Sequence, residues 1–364
     1  MNPHEQFCPN EACEARGKIG EGNIWCHSRK DHRYKCKLCG KTFTATAGTP
    51  LYRLKTSHEL FVIVVTLLAF GCPVQAIVMA LGLDARTVRT WWAKAGGHCE
   101  EVHEHLVGKA QLNLGHVQAD EIKVKTRGGT IWMAMAMMVS TRLWLGGVVS
   151  PKRDKHLIRA LTDKIRQVAL CRAVLLAVDG LSSYVDAFRK AFRSPLPTGK
   201  VGRPRLIAWP GIHIVQVIKQ RRGGVLTIQR CIVQGTQDAV ERLLAHSHGG
   251  TVINTAYIER LNATFRQRLA CLTRRTRHLA HRQTTLHHSM MILGTVYNFC
   301  TPHHSLRLLL WITSQRKRWV QRTPAMAAGL TDHCWTITEL MTFRIPPPPF
   351  VPPKRRGRPP KVAS

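Results

Sequence analysis

The chain has 364 residues, enough for one large domain or two to three modest ones, and its 44% hydrophobic and 21% charged residues exclude wholesale disorder, collagen and coiled coil. Charge is the abnormal quantity: 54 Lys and Arg against 21 Asp and Glu leave a formal net charge of +33. A chain this basic repels itself unless it meets a polyanion, and its 35 Arg against 19 Lys favour nucleic acid, because the guanidinium fork matches phosphate and guanine.

The longest apolar run, Phe61 to Gly71, falls short of the roughly 18–20 residues of a membrane span. Met1 to Gln6 has no apolar stretch behind a positive start, so no signal peptide is expected. The sequence therefore predicts a cytoplasmic, nucleoid-associated protein without a membrane partner. Twelve cysteines in a reducing compartment read as metal ligands or buried thiols rather than a disulfide framework.

In chain order, residues 1–56 come first. Cys8-x4-Cys13 is followed by Cys36-x2-Cys39, and Gly40 eases the backbone after the second pair. Two close pairs separated by a loop of this size suit one tetrahedral structural zinc in a zinc β-ribbon. So short a segment builds little core without such a staple. Cys26 and His27 are alternative ligands by position.

Residues 57–108 read as a helix-turn-helix DNA-binding domain. An apolar helix over 58–70 is broken by Gly71-Cys72-Pro73, and a second over Val74 to Leu81 ends at Gly82. Asp84 can N-cap a third, in which Val88, Trp91 and Trp92 share a face. Arg86, Thr87 and Arg89 then point away from that face near the helix start, where a recognition helix meets base edges.

Residues 109–300 read as a catalytic domain of mixed α and β structure. A strand-like start at His116-Val117-Gln118-Ala119-Asp120-Glu121 precedes the apolar runs Thr130 to Ser140 and Leu143 to Ser150; these predict three antiparallel strands. A helix over Asp154 to Ala169 follows. Ala173 to Gly180 then predicts a buried strand ending in Asp179, with a helix over Ser182 to Phe192 and another over Ile253 to Arg268. Residues 195–235 are read as an inserted β-rich segment. Asp120, Asp179 and Glu259 could together hold two Mg²⁺ (or Mn²⁺) ions, hard cations that prefer carboxylate oxygen and promote phosphodiester attack. Glu121 should face the opposite side of the strand from Asp120 and is read as structural, or as a neighbour that supports the metal ligands without being one.

Between residues 187 and 331 there are 23 basic residues and only three acids, Asp238, Glu241 and Glu259. Asn262 and Arg266 follow Glu259 by about one and two helical turns, share its face, and are expected to contact DNA. Arg268, Arg274 and Arg275 are expected phosphate contacts. Residues 301–343 form a basic C-terminal segment, and 344–364 a stiff Pro-rich basic tail. The tail contains Arg-Gly-Arg-Pro, similar to an AT-hook core, in which Arg356 and Arg358 suit an A·T minor groove; Lys200 to Arg205 carries half of that core.

The phrases Asp120-Glu121, Val178-Asp179-Gly180 and Asn254-Thr255-x-x-Ile258-Glu259-Arg260-x-Asn262, with Arg266 and Arg268, resemble the DDE transposases of bacterial insertion sequences, in particular the family founded by insertion sequence one. The resemblance spans about residues 5–343 and is strongest over Asn254 to Arg275. It implies a ribonuclease-H-like catalytic domain behind a zinc ribbon and helix-turn-helix. It makes Asp120, Asp179 and Glu259 the metal triad. The implied activity is DNA transposition, in which an element end is hydrolysed and its 3′-hydroxyl is joined to target DNA by a homo-oligomer on DNA. Two other readings stand beside it: a non-catalytic DNA-binding regulator, and a ribonuclease-H-like nuclease that cuts without joining.

Overall fold

The computed structural model describes residues 2–196, 199, 202–273, 279–280, 282–311 and 317–352. Arg274, Arg275, Arg356 and Arg358, the Arg-Gly-Arg-Pro piece, and Lys200 and Val201 of the internal half-copy lie outside the described residues. The chain is mixed α/β and divides into two compact units, residues 1–55 with 342–364, and residues 56–341.

In the first unit β1 (Ile24–Ser28), β2 (Arg33–Cys36) and β3 (Thr42–Thr44) form an antiparallel sheet. Its core is small, with Ile24, Tyr34 and Phe43 packed on Cys8, Cys13, Ala15 and Cys36. The stretch that the sequence reads as the start of an extended tail adds to this core. Arg344 stacks on Phe7 and Phe43, 4.2 and 5.1 Å from the ring centroids. Its Nε donates to the Ala47 carbonyl at 2.8 Å, and its guanidinium also donates to Gln6 Oε1. The long side chain is thus used as packing material with its donors satisfied.

The second unit begins with α1 (His58–Ala69), α2 (Val74–Leu81) and α3 (Ala85–His103), close to the expected bounds. Gly82 ends α2 in the left-handed region at φ 63°, and Asp84 Oδ1 accepts from the Arg86 and Thr87 amides at 2.7 and 3.4 Å. Next come β4 (Gly115–Thr126), β5 (Gly129–Met138), β6 (Leu143–Ser150), α4 (Lys155–Val168), β7 (Val174–Asp179) and α5 (Ser182–Ala191). A small hairpin of β8 (Arg193–Pro195) and β9 (Leu206–Ala208) precedes β10 (Ile212–Arg222) and β11 (Val225–Gln234). The remaining elements are α6 (Gln237–His246), α7 (Ala256–Arg268), α8 (Gln283–Phe299), β12 (Leu308–Trp311), β13 (Lys317–Val320), α9 (Pro324–Ala327) and α10 (Ile337–Thr342).

The main sheet has the order β11-β10-β7-β4-β5-β6. β4, β5 and β6 are antiparallel neighbours, whereas β7 runs parallel to β4 and β10 parallel to β7. Helices α4 and α5 carry the chain into those parallel strands, as crossover connections must. Only part of 195–235 stands as an insertion. β8 and β9 pair apart from the sheet, but Ile212, Ile214, Val215 and Val217 are buried and make β10 an integral strand. An apolar run able to bury both faces belongs inside a sheet, not on an appendage.

One face of the sheet, through Val117, Ala119 and Leu176, packs on Leu157, Leu161 and Ile165 of α4 and Tyr184 and Phe188 of α5. The other, through Leu175, Ala177 and Val215, packs on Val240 and Leu244 of α6. Helix α3 runs far past its N-terminal turns and lies along α8, where Gly96 admits the His288 side chain. The three helices therefore share a unit with the sheet, and residue 108 is not a break between units. No helix among the described residues is long and apolar enough to cross a membrane.

Buried Asn298 of α8 clamps β6 by accepting from the Trp144 amide at 2.9 Å and donating to its carbonyl at 2.8 Å. Gly294 lies one turn earlier, where an added Cβ would stand 2.2 Å from the Trp144 ring. Gly294→Ala should therefore destabilise the protein by about 1–3 kcal/mol, the usual cost of overpacking a tight core. Gly97→Ala in α3, with nothing within 4 Å of its Cβ, should leave stability equal or slightly raised. Thermal melts of the two variants check the contrast.

Candidate functional site

Cys8, Cys13, Cys36 and Cys39 have their sulfurs within 4.8 Å of one another. Cys36 ends β2, and the Gly40 amide returns to the Cys36 carbonyl at 3.0 Å with Gly40 at φ 67°, a turn that presents Cys39 beside Cys36. Cys8 and Cys39 sulfurs lie 3.6 Å apart, Cys13 and Cys36 3.8 Å. Those separations are too long for disulfides and match the roughly 3.8 Å edge of a tetrahedron with Zn–S near 2.3 Å. The cluster could hold a metal ion such as zinc. Cys26, on β1, is outside it.

The second cluster forms where β7 ends and its pairing with β4 stops. The β4–β7 ladder closes at Gln118 opposite Ala177, and two residues further along each strand stand Asp120 and Asp179. Val217 of β10 pairs with Asp179 from the other side. Carboxylate oxygens of Asp120, Glu121 and Asp179 lie within 4.8 Å of one another. Glu121 does start from the α4–α5 face of β4, as alternation requires, but the ladder to β7 has already ended there. Its longer side chain reaches the same place, so it belongs to the cluster that the sequence reading denied it.

Each acid is held. Asp120 Oδ1 accepts from the Glu121 amide and Oδ2 from Asn262 Nδ2, both at 2.8 Å. Arg153, its guanidinium over the Trp132 ring, donates to Glu121 Oε2 at 3.0 Å and to Asp179 Oδ2 at 3.2 Å. Glu121 Oε1 is buried, and the buried Tyr184 hydroxyl interacts with this carboxylate. Burial, reinforced by the charges of Glu121, Asp179 and Glu259, pushes the Asp120 carboxyl up to about 7. Burial and the Asp179 charge also raise Glu121, against the pull of Arg153.

Helix α7 is docked over Asp120 by a side chain that the sequence reading passed over. Gln118 Oε1 accepts from the Tyr257 and Ile258 amides, both at 3.0 Å, and its Nε2 donates to the Asn254 carbonyl at 2.8 Å. It satisfies two of the orphan N–H groups of the helix start. Glu259, in the first turn, accepts from Thr255 Oγ1 at 2.7 Å and from Lys219 of β10. Burial works to raise its pKa, but Lys219, Thr255 and Arg266 prevail and hold it below the usual carboxylate range. The expected triad is thus only partly assembled: Asp120 and Asp179 meet, their third neighbour is Glu121, and Glu259 stands outside that cluster in a pair with Lys219.

The expected DNA contacts divide similarly. Arg86 and Arg89 are exposed at the start of α3, and Thr87 is half-buried. Arg266 is half-buried near Glu259. Asn262 is fully buried on Asp120, so it positions that carboxylate instead of meeting DNA. Arg268 is half-buried, its guanidinium 4.4 Å from the Phe70 ring and its backbone against Gly71, so it ties α7 to the end of α1. Arg153, Lys219 and Gln118 were missed. The available signal for Gln118 was the polar series His116, Gln118, Asp120 on one face of β4, against apolar Val117 and Ala119 on the other. For Arg153 and Lys219, on separate elements, nothing local marked a shared site.

Compared with protein-family models and with curated proteins, the chain matches none of them.

If the cysteine cluster is a structural zinc site, protein purified without chelator should contain about one zinc per chain, and a chelator should unfold residues 1–55 while the sheet stays folded. Elemental analysis and amide exchange read this out. Asp120 yields a pH prediction. Its pKa is raised in the fold, so its contribution to stability is complete at low pH and is lost as pH rises through about 7. Asp120→Asn should therefore stabilise the metal-free protein by roughly 1–3 kcal/mol at pH 8, with the gain vanishing toward pH 4. Urea melts across that range measure the difference.

Proposed function

We propose that this chain is a DNA transposase of the DDE type, acting through a divalent-cation site at the end of β7, beside the middle of β4. The observation that carries the reading is the convergence of Asp120, Glu121 and Asp179, with Glu259 opposite on α7, in a chain of net charge +33. The strand order supports a ribonuclease-H-like domain: three antiparallel strands, then two parallel ones reached through helices, with acids in mid-β4 and at the adjoining end of β7. The four cysteines fit a zinc ribbon, and α1 to α3 fit a helix-turn-helix that exposes Arg86 and Arg89.

The donors suit a hard cation such as Mg²⁺. They are all carboxylate oxygens, and their mutual repulsion would be relieved by positive charge. When bound, such an ion supplies charge stabilisation to the attacking and leaving oxygens of a phosphodiester. The chain's own groups do the rest. Asn262 fixes the Asp120 carboxylate in one orientation. Arg153 and Lys219 neutralise carboxylates in the absence of other cations and offer phosphate a positive edge. Arg266 adds charge on the same helix. Arg86, Thr87 and Arg89 select the element end, and the basic surface supplies affinity that is independent of sequence.

A second reading has one observation in its favour. Arg153 and Lys219 already pair with three of the four acids, as they would in a DNA-binding regulator that cuts nothing. Inverted repeats flanking the gene would supply the natural substrate. On duplexes bearing them, with Mg²⁺ or Mn²⁺, Asp120→Ala, Asp179→Ala and Glu259→Ala should each lower cleavage at least about 100-fold and leave binding in gel shifts intact. Cation-independent binding with no cleavage by the wild type would favour the regulator, and cleavage without joining would favour a nuclease.

A further inference from the structure

β10 and β11 outrun the sheet that they belong to. The β7–β10 ladder ends at Asp179 opposite Val217, yet β10 and β11 stay paired for five further rungs, from Ile218 opposite Gln229 to Arg222 opposite Val225. The free part of this ribbon is about 17 Å long. It closes in a two-residue turn of Gly223 and Gly224, both at positive φ, 56° and 84°, the conformation in which a right-twisted hairpin turns most tightly. A register shift between Ile214 and Val215 marks a bulge near its root, a device that re-aims a strand pair.

The ribbon leaves the sheet at Asp179, so it projects from the edge where the acids gather. Lys219 ties its root to Glu259, and Arg230 Nε donates to the Ile253 carbonyl before α7. Beyond those ties the described side chains of Gln220, Arg221 and residues 225–229 are open to solvent. Val225, Leu226 and Ile228 are 68%, 51% and 38% exposed. Arg221 is exposed opposite Leu226, and Lys219 stands opposite Ile228, so one face alternates cation and aliphatic. From residue 187 to 237 the chain has ten basic residues and no acid. An exposed edge with this much aliphatic surface is a liability unless something covers it.

We propose that the β10–β11 ribbon is a DNA-positioning arm, which lies in a groove of the duplex and sets the distance from that groove to the acid cluster. A two-stranded ribbon fits the roughly 12 Å major groove. Arg221 meets phosphate at its rim, and Leu226 and Ile228 meet base edges or thymine methyls inside it. The charge of the arm selects a polyanion, and its root at Asp179 places that polyanion at the acids. The inference rests on the proposed function only for what happens to the phosphate held there.

The test uses the full chain and the pair Arg221→Thr with Leu226→Thr, both strand-compatible and both clear of the acids. Affinity for a duplex of about 30 base pairs should fall roughly tenfold, and the slope of log affinity on log salt should flatten by about 1. A benzophenone amino acid at Ile228 should crosslink to the duplex. Unchanged affinity, unchanged slope and no crosslink, in a protein whose thermal melt matches wild type, overturn the arm even if the wild type cuts DNA. Loss of binding and a positive crosslink in a protein that never cuts uphold the arm and sink the transposase reading. A wild type that does not bind duplex DNA sinks both.

Discussion

One strand face and its polar ladder govern the second unit. His116, Gln118 and Asp120 alternate along β4 on the side away from α4 and α5, and each is caught by the stretch that follows α6. His116 meets Ser247 Oγ at 3.0 Å, Gln118 caps the start of α7, and Asp120 receives Asn262. Buried polar groups must be paired, and a one-residue slip of α7 would strand Gln118 and Asp120 at once. Packing alone would let an amphipathic helix slide. The ladder fixes its register on the sheet, and with it the distance of Glu259 from the acid cluster.

That register is maintained against electrostatic opposition. Asp120 and Glu121, crowded with Asp179, destabilise the fold whenever they are charged, and their raised pKa values register the cost. Arg153 and Lys219 compensate, each from an element other than those bearing the acid that it serves. The buried histidines take the opposite course. Burial pushes His116 down to about 3 and His103 to about 4, so both stay neutral and serve as hydrogen-bonding spacers. The acids retain charge that other groups must answer, which agrees with the chemistry proposed for them.

Local signals carried much of this. The glycine, proline and aspartate punctuation located α1 to α3, α4 and α5 to within a residue or two of most ends, and apolar runs found β4 to β7. The cysteine pairs came together as spaced. What the sequence hid was decided by tertiary pairing. Apolar strand β10 looked like part of an insertion because nothing local says which strand it will lie beside. Glu121 was dismissed by side-chain alternation, a rule about where Cβ atoms point and not about where a long carboxylate ends. Asn262 and Arg268 had the composition of a DNA-binding helix face, but burial against Asp120 and Phe70 used them for structure. Glu259 was correctly placed on a helix, while its partner Lys219 lay 40 positions away on another element.

The stacking of Arg344 between Phe7 and Phe43 has a consequence for how the chain is made. The first unit is assembled from two pieces separated by the whole of residues 56–341. During synthesis its cysteines emerge early, but the guanidinium that bridges its two phenyl rings is polymerised only after the intervening stretch, roughly 15–60 s later at 5–20 residues per second. Through that interval the early piece has its thiols and its small apolar core but not its last packing partner. The sheet-bearing unit, encoded in one uninterrupted stretch, can close first, and the unit that begins the chain is the one that finishes last.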